Sequence, residues 1–195
     1  ESDFNSYFDE TVTNLTLDKL PSDVYIHDKN KNSTYNYKEN EYYCYHMFAL
    51  ILIVPVTQNI YTWKENGKYY HAETHTDSSK NKMSEISEES FNSYMLSHKS
   101  RILSELNIPL TTYTSIKENE TYEDVVTTCY EISNGVKSTV TYVNPNDENG
   151  KCSFTLELKN HLPAKTISKS SSTSSMYYEY DKSSFIAPTF EESTD

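Results

Sequence analysis

The chain has 195 residues and a mass of 22.6 kDa, a size typical of one domain that can bury a hydrophobic core. It carries 17 Lys and Arg against 29 Asp and Glu, a formal net charge of −12, and such a surface repels nucleic-acid phosphates and anionic lipids. With only 3 glycines it lacks the glycine-rich phosphate loops of nucleotide enzymes and the GxSxG elbow of many hydrolases. We therefore expect no nucleic-acid partner, no membrane insertion and no cofactor.

The first recognisable element is the apolar stretch 42–56. It is more continuously apolar than the rest of the chain, as in a central strand that is covered on both faces, and Pro55 is expected to end it or to force a bulge. Two Tyr- and Thr-rich runs, 58–64 and 68–75, follow on either side of Asn66-Gly67. Because Asn-Gly supplies the positive φ of tight turns, these runs predict a hairpin.

A helix is predicted at about residues 87–106. Apolar and aromatic residues recur there at helical spacing, at Phe91, Tyr94, Met95, His98, Ile102 and Leu106. Ser87 is placed as the N-cap, and Glu88 and Glu89 lie in the first turn, where the helix dipole favours negative charge. Pro109 is expected to stop the helix. This helix is predicted to cover one face of a sheet.

Three further strands are predicted around the other two Asn-Gly pairs. The runs 122–133, 137–143 and 151–158 carry Val, Thr, Tyr and Phe at a period of two and form a meander. Asn134-Gly135 and Asn149-Gly150 separate these runs. The inner face of the meander is expected to include Val140, Tyr142, Phe154, Leu156 and Leu158.

The end of the chain has a different composition. Residues 165–176 are dominated by Ser and Thr with almost nothing to bury, which predicts a flexible segment or a glycosylated stalk. The predicted fold is therefore mostly β, an antiparallel β-sandwich with one packed helix, in a binding domain at residues 1–164. A flexible Ser/Thr-rich and acidic-Tyr tail is predicted at 165–195.

Three N-x-S/T sequons begin at Asn14, Asn32 and Asn119. Three such sites favour a secreted glycoprotein, although a chain rich in Asn, Ser and Thr also forms sequons by chance. The first residues do not have the pattern of a signal peptide, and the longest apolar run, 47–56, is too short to span a bilayer. We expect a secreted, extracellular protein that is soluble as given.

The three cysteines are Cys44, Cys129 and Cys152. In an oxidising compartment they allow one disulfide and leave one thiol, through which the chain could dimerise. If residues 136–143 form the strand between Cys129 and Cys152, those two are not neighbours and either can pair with Cys44. A twist or a change of sheet that brings them together is the alternative.

One histidine pattern invites a metal-site interpretation. His71 and His75 are four residues apart with Glu73 between them. The zinc-metalloprotease motif, however, needs the glutamate directly after the first histidine on a helix, whereas Glu73 is one position later on a predicted strand. We therefore predict no metal site. Because no Ser, Cys or His lies in a recognised catalytic context, we assign no catalytic residue and expect a protein that is not an enzyme.

Acidic residues are interleaved with tyrosines in two clusters. These candidate partner-binding residues are Tyr122, Glu123 and Asp124 in the first cluster and Tyr177, Tyr178, Glu179, Tyr180 and Asp181 in the second. Tyr is enriched at protein interfaces, and complementary charge steers association. The clusters therefore indicate a surface for a basic protein, and the alternative is that they are solvated loops.

Several stretches resemble the poxvirus secreted chemokine-binding proteins. They are the apolar strand 45–54, the hairpin Asn59-Ile-Tyr-Thr-Trp-Lys-Glu-Asn-Gly-Lys-Tyr-Tyr70, the stretch 83–91 that opens the helix, and Tyr122-Glu-Asp-Val-Val126. The resemblance covers about residues 42–159. It implies a β-sandwich that captures a host immune protein without catalysis, often by presenting an acidic sheet face to a chemokine. Relatives in that family usually carry several disulfides, whereas this chain has only 3 cysteines.

Together these features predict a secreted immunomodulatory decoy. It would bind a basic host chemokine or cytokine by electrostatic steering and tyrosine burial, and so block the receptor site. The alternatives are a lipocalin-like secreted carrier of a small amphipathic ligand, a binder of class I histocompatibility or other immune receptors, and a surface adhesion domain. A helix between strand groups speaks against the carrier, because an up-and-down barrel has consecutive strands.

Overall fold

The computed structural model describes residues 2–148 and 150–190. The helices are α1 (Ser2–Asn14) and α2 (Glu88–Glu118), and short 3-10 helices lie at Leu17–Lys19 and Ser78–Lys80. The strands are β1 (Asp23–Asp28), β2 (Ser33–Lys38), β3 (Tyr42–Ile51), β4 (Val54–Glu65), β5 (Lys68–His75), β6 (Lys82–Ile86), β7 (Glu123–Ile132), β8 (Gly135–Val143), β9 (Lys151–Lys159), β10 (Leu162–Lys169) and β11 (Thr173–Tyr180).

The described residues form two compact units, which we describe one at a time. The first unit holds residues 2–20, 28–30 and 103–178, and the second holds 21–27, 31–102 and 179–190. The predicted fold class is confirmed, because the chain is mostly antiparallel β in a sandwich-like arrangement with one long packed helix.

In the first unit the strand order is β11-β10-β9-β8-β7. The inner face of this sheet buries Val140, Phe154, Leu156 and Leu158, as predicted, whereas Tyr142 is only half-buried. Helix α1 and the C-terminal part of α2 supply the other side of this core, where the rings of Phe4 and Tyr113 lie 5.3 Å apart. The Tyr113 hydroxyl reaches the sheet at Ser138 Oγ, 2.9 Å away.

In the second unit the strand order is β6-β5-β4-β3-β2-β1. The β4–β5 hairpin turns at Asn66 and Gly67, with φ of 51° and 75°, so the predicted Asn-Gly turn is confirmed. The N-terminal part of α2 covers one face of this sheet, where Phe91 packs on Tyr69 with ring centroids 4.9 Å apart.

Helix α2 begins as predicted and ends later than predicted. The Ser90 N–H donates to Ser87 Oγ at 3.1 Å, which confirms Ser87 as the N-cap. The helix continues through Pro109 to Glu118, so the prediction that Pro109 stops it is wrong. A proline inside a helix removes one backbone hydrogen bond, but the buried Leu106, Leu110 and Tyr113 lie on one face around it. Packing of that face outweighs the local cost of the proline.

Residues 165–169 and 173–180 lie in the paired strands β10 and β11, in place of the predicted flexible segment. Strand β10 pairs with β9 on one side and with β11 on the other, with Ile167 opposite both Thr155 and Ser175. The predicted domain boundary at 164/165 therefore falls inside β10. Ser and Thr side chains are compatible with strands that backbone hydrogen bonds and a few buried side chains, such as Tyr178, hold in the sheet.

Residues 182–190 have no regular secondary structure, but they contact the sheet of the second unit. The Ser183 N–H donates to Asp23 Oδ1 at 3.0 Å and the Ser184 N–H donates to Asn36 Oδ1 at 2.9 Å. The Phe185 ring lies 5.1 Å from the ring of Tyr42 and 5.6 Å from that of Trp63. This segment covers part of the sheet face that α2 leaves open.

Candidate partner-binding surfaces

The first acidic cluster lies where β7 begins. Glu123 and Asp124 are exposed, and the register with β8 shifts between Glu123 and Val126, which marks a bulge at Asp124 with φ of 51°. The Tyr122 ring stacks on Tyr142 with centroids 4.6 Å apart. Burial is the main cause that raises the pKa of Tyr142 to about 12. The bulge thus presents two carboxylates beside a stacked aromatic pair.

Strand β7 is also an edge of the first unit's sheet. Within the described part of the chain it pairs with β8 only. Val126 and Tyr130 are exposed along it, and Glu131 adds a third exposed acid. An edge strand offers a row of unpaired backbone N–H and C=O groups to an extended segment of another chain. Natural edges are often protected by lysine, and β7 contains none.

The open face of the same sheet is basic. Lysines alternate with the buried residues of β8, β9 and β10, at Lys137, Lys151, Lys159, Lys165 and Lys169. Glu157 lies among them, 3.6 Å from Lys137. The acidic sheet face that the family resemblance implies is therefore not found here, and the exposed acids Glu123, Asp124 and Glu131 lie on the β7 edge strand instead.

The second acidic cluster does not form one surface. Tyr178 is 5% exposed, and burial raises its pKa. Tyr177 points to the opposite face, where the ammonium groups of Lys29 and Lys165 each lie 5.2 Å from its ring centroid. Glu179 and Asp181 are exposed, and Tyr180 is half-buried.

The structure does not bring the two clusters together in the first unit. Tyr122 and its acidic neighbours lie at β7, whereas Tyr177 lies on β11, and β8, β9 and β10 separate these strands. Of the predicted partner-binding residues, Glu123 and Asp124 are exposed acids on β7 and can contact a basic partner. Tyr178 is too deeply buried to contact one.

The most exposed apolar surface was not predicted. Strand β2 ends its pairing with β3 at Thr34 opposite His46, and β5 ends its pairing with β4 at His75 opposite Gln58. Beyond those positions β3 and β4 pair with each other as far as Ile51 opposite Val54. At the base of this part, the Thr57 carbonyl still accepts a hydrogen bond from the Thr76 N–H at 3.1 Å. We call residues 47–57 the apolar ribbon.

The prediction of a covered central strand at 42–56 is therefore wrong for the apolar ribbon. The chain reverses at Leu52 and Ile53, which have φ of 48° and 65°, and these two side chains are 90% and 94% exposed. A hairpin was not expected here because the reversal lacks the Gly, Asn or Asp that usually occupies positive φ. The signal available in the sequence was that the apolar run is uninterrupted and uncharged.

The histidine pattern of β5 joins a buried polar network. His71 Nε2 lies 3.9 Å from Glu73 Oε1, and His75 Nε2 lies 3.7 Å from Glu73 Oε2. Thr62 Oγ1 is 3.0 Å from His71 Nδ1 and 2.9 Å from His98 Nε2. Burial lowers the pKa of His71 and lowers that of His98 to about 3. Among residues 2–148 and 150–190, no group of three or more His, Cys, Asp or Glu side chains could hold a metal ion.

The three cysteines are free thiols. Cys129 is opposite Ser138 and Cys152 is opposite Tyr142. Strand β8 thus separates the two cysteines, and of the two arrangements left open by the sequence, the one without a twist or change of sheet is found. Neither pairs with Cys44. Burial raises the pKa of the Cys44 thiol to about 12, which makes it a poor nucleophile.

The three sequon asparagines differ in exposure. Asn32 is exposed between β1 and β2, with φ of 50°. Asn14 ends α1 and is half-buried. Asn119 is half-buried just after α2, and its Oδ1 accepts hydrogen bonds from the N–H and hydroxyl of Thr121 at 2.9 and 2.7 Å. Asn32 is therefore the most accessible acceptor for a glycan. Asn149, of the third Asn-Gly pair, lies outside the described residues.

No protein-family model matches the chain, and no curated protein is significantly similar to it. The resemblance to chemokine-binding proteins stays a prediction that rests on the stretches quoted above. No helix in the described ranges combines the length and the apolar character that a membrane crossing requires.

Proposed function

We propose that this protein is a secreted, non-catalytic binding protein that captures a basic host chemokine or cytokine at the β7 edge and blocks its receptor site. The observation that carries the proposal is the free edge of β7, with Glu123, Asp124 and Glu131 exposed along it. Secretion is supported by the sequons, of which Asn32 is exposed.

The β7 edge offers two kinds of contact to such a partner. Its unpaired backbone groups suit an extended segment that adds a strand to the sheet. Val126 is 57% exposed and Tyr130 is 54% exposed, and both can be buried by the added segment. The three carboxylates then favour basic side chains on the partner and raise its rate of association.

The experiment is a surface-plasmon-resonance screen of the glycosylated protein against basic chemokines, cytokines and a class I histocompatibility protein. We expect binding to a basic chemokine or cytokine with an association rate that falls several-fold between 50 and roughly 150 mM salt, because screening weakens steering. The triple variant Glu123→Gln/Asp124→Asn/Glu131→Gln should lower that rate at least tenfold.

A charge-matched control comes from the second cluster and the helix start. The variant Glu179→Gln/Asp181→Asn/Glu89→Gln removes three exposed acids elsewhere and should leave most of the binding intact. Absence of binding across the chemokines and cytokines would contradict the proposal. Equal effects of the two triple variants would show that net charge, and not the β7 edge, determines binding.

A further inference from the structure

The tip of the apolar ribbon exposes five consecutive large apolar side chains, at residues 50–54. Leu50, Ile51 and Val54 are each more than half exposed, in addition to the almost fully exposed Leu52 and Ile53. Contiguous apolar patches larger than a few hundred Å² mark interaction sites. The tip is therefore a candidate interaction site, which an apolar environment would cover.

Both faces of the ribbon are apolar, which restricts what that environment can be. Consecutive side chains of a strand point to opposite faces, so Phe48 and Leu50 lie on one face and Met47, Ala49 and Ile51 lie on the other. A protein surface, or a second copy of the chain, stacked on the ribbon would cover one face and leave the other in water. Apolar side chains on both faces and at the tip fit a medium that surrounds the ribbon.

The absence of charged side chains from the ribbon further restricts which apolar environment can cover it. The chain has no Asp, Glu, Lys or Arg from residue 42 to residue 63. The ribbon can therefore enter an apolar phase without burying an ionised group. It also has no lysine or arginine to attract anionic headgroups, and the net charge of −12 repels them. An electrically neutral, zwitterionic lipid surface is complementary to this distribution of charge.

Polar side chains at the base of the ribbon limit how deep the ribbon can enter a lipid surface. Thr57 is opposite Phe48, and Asn59 Nδ2 donates to Thr74 Oγ1 at 2.9 Å at the base of the ribbon. Residues 53–57 span about 13 Å at about 3.3 Å per residue. The part of this stretch nearest the tip, residues 53–55, spans about 7 Å, which lies within the roughly 5–10 Å by which interfacial elements enter the headgroup and acyl boundary. The ribbon's unpaired edge groups can still meet water at that depth, whereas the hydrocarbon core would not satisfy them.

We propose that the apolar ribbon docks the protein on zwitterionic lipid surfaces by inserting residues 50–55 into the interface. The sequence-based expectation of no membrane insertion rests on charge repulsion and does not apply to neutral lipid. This inference is independent of the β7 edge and adds a lipid surface as a second partner. It would place the protein on host membranes or lipid particles.

The test measures co-sedimentation of the full chain with phosphatidylcholine vesicles and with vesicles that also contain phosphatidylserine. We expect binding to phosphatidylcholine that changes little with salt and weakens when phosphatidylserine is added. The variant Leu52→Asn/Ile53→Asn should lower the partition coefficient at least tenfold. Asn tolerates positive φ better than Leu or Ile, so this variant should fold at least as well as the parent chain.

The control variant Leu96→Asn/Ile186→Asn removes two other exposed apolar side chains, which are 60% and 87% exposed, and should leave vesicle binding unchanged. Sedimentation velocity of the parent chain distinguishes self-association from lipid docking. Absence of vesicle binding would overturn the inference, as would tighter binding to the phosphatidylserine vesicles. A dimer that the Leu52→Asn/Ile53→Asn variant dissociates, without vesicle binding by the parent chain, would identify the ribbon as a contact between copies.

Chemokine or cytokine binding by the Leu52→Asn/Ile53→Asn variant separates this inference from the proposed function. We expect it to equal that of the parent chain. If it is lost together with lipid binding, the ribbon belongs to the protein-binding site and the inference of a separate lipid surface is overturned.

Discussion

Tyr43 and His98 stack face to face, with ring centroids 3.8 Å apart and planes 5° from parallel. The fully buried Thr62 hydroxyl bridges His98 and His71. It can donate to one imidazole nitrogen and accept from the N–H of the other, an arrangement that two neutral rings satisfy. Helix α2 is thus joined to the second unit's sheet through a polar contact that depends on neutral histidines.

Acid should weaken the fold through His98. Its pKa is about 3 when folded, against 6.5 for a free histidine, so between these values the unfolded chain binds the proton that the folded chain excludes. Above pH 6.5 the titration of His98 does not reduce the free energy of unfolding. Below that pH it reduces the free energy of unfolding by about 1.4 kcal/mol per pH unit. Urea unfolding from pH 7.5 to 4.5 measures this slope. His98→Phe keeps a ring against Tyr43 and should flatten the slope, and a slope equal to that of the parent chain would contradict the assignment.

Thr62→Val should destabilise the second unit. The substitution keeps the shape of the side chain but leaves His71 and His98 without their shared hydroxyl, at a cost of about 1–3 kcal/mol. The measurement is the free energy of unfolding in urea. Thr128→Val, at an exposed position of β7, is the matched control and should change stability by less than about 0.5 kcal/mol. Similar losses in both variants would mean that the bridge contributes nothing.

Phe185→Ala should expose the chain's single tryptophan. Trp63 is 3% exposed and its Nε1 has no hydrogen-bond partner, while the Phe185 ring covers it at 5.6 Å. We expect a red shift of the fluorescence maximum, stronger acrylamide quenching and a loss of about 2 kcal/mol, less than for a fully buried phenylalanine. Ile186→Ala, at the exposed neighbouring position, should leave the spectrum unchanged. An unshifted spectrum in Phe185→Ala would show that the segment does not cover Trp63 in solution.

Gly135→Ala should be more damaging than Gly67→Ala. A Cβ at Gly135 would lie 1.8 Å from the Leu158 carbonyl oxygen, so the β8 and β9 backbones would have to separate, at a cost of at least about 2 kcal/mol. A Cβ at Gly67 meets nothing within 4 Å, and only its positive φ costs about 1 kcal/mol. Thermal midpoints of the two variants compare these costs. Equal midpoints would contradict the close approach at Gly135.

Local sequence signals predicted the parts of the fold that local chemistry determines. The Asn66-Gly67 hairpin follows from the ease with which these residues adopt positive φ, and the start of α2 follows from the Ser87 side chain. The period-two burial of Val140, Leu156 and Leu158 follows from the alternation of side chains along strands. These features need no information about distant residues.

Other elements depended on distant partners and were missed for that reason. Helix α1 has few apolar residues, but the Tyr7 hydroxyl donates to the Asn134 carbonyl and accepts from the His161 N–H, which anchors the helix in the first unit. Strand β10 pairs with β9, and β11 pairs with β10, so backbone hydrogen bonds to neighbouring strands hold both in the sheet. A polar sequence gives no local sign of either arrangement.

The candidate sites also have features that the local sequence predicts and features that depend on distant residues. The sequence placed Glu123 and Asp124 in an acidic cluster, and they are exposed, but only the strand order shows that β7 is an edge. The apolar run at 47–56 is equally compatible with a buried strand and with an exposed ribbon. The extent of β2 and β5 decides between them.

The sequence by itself therefore determined the antiparallel β class, the acidic charge, the Asn66-Gly67 turn and the start of α2, because backbone preference and periodicity act within a few residues. Only the tertiary structure decided that α2 continues past Pro109, that β7 is an open edge, and that Leu52 and Ile53 are exposed. Burial is a property of contacts between residues far apart in the chain, and the same apolar or acidic run has a different role according to what packs against it.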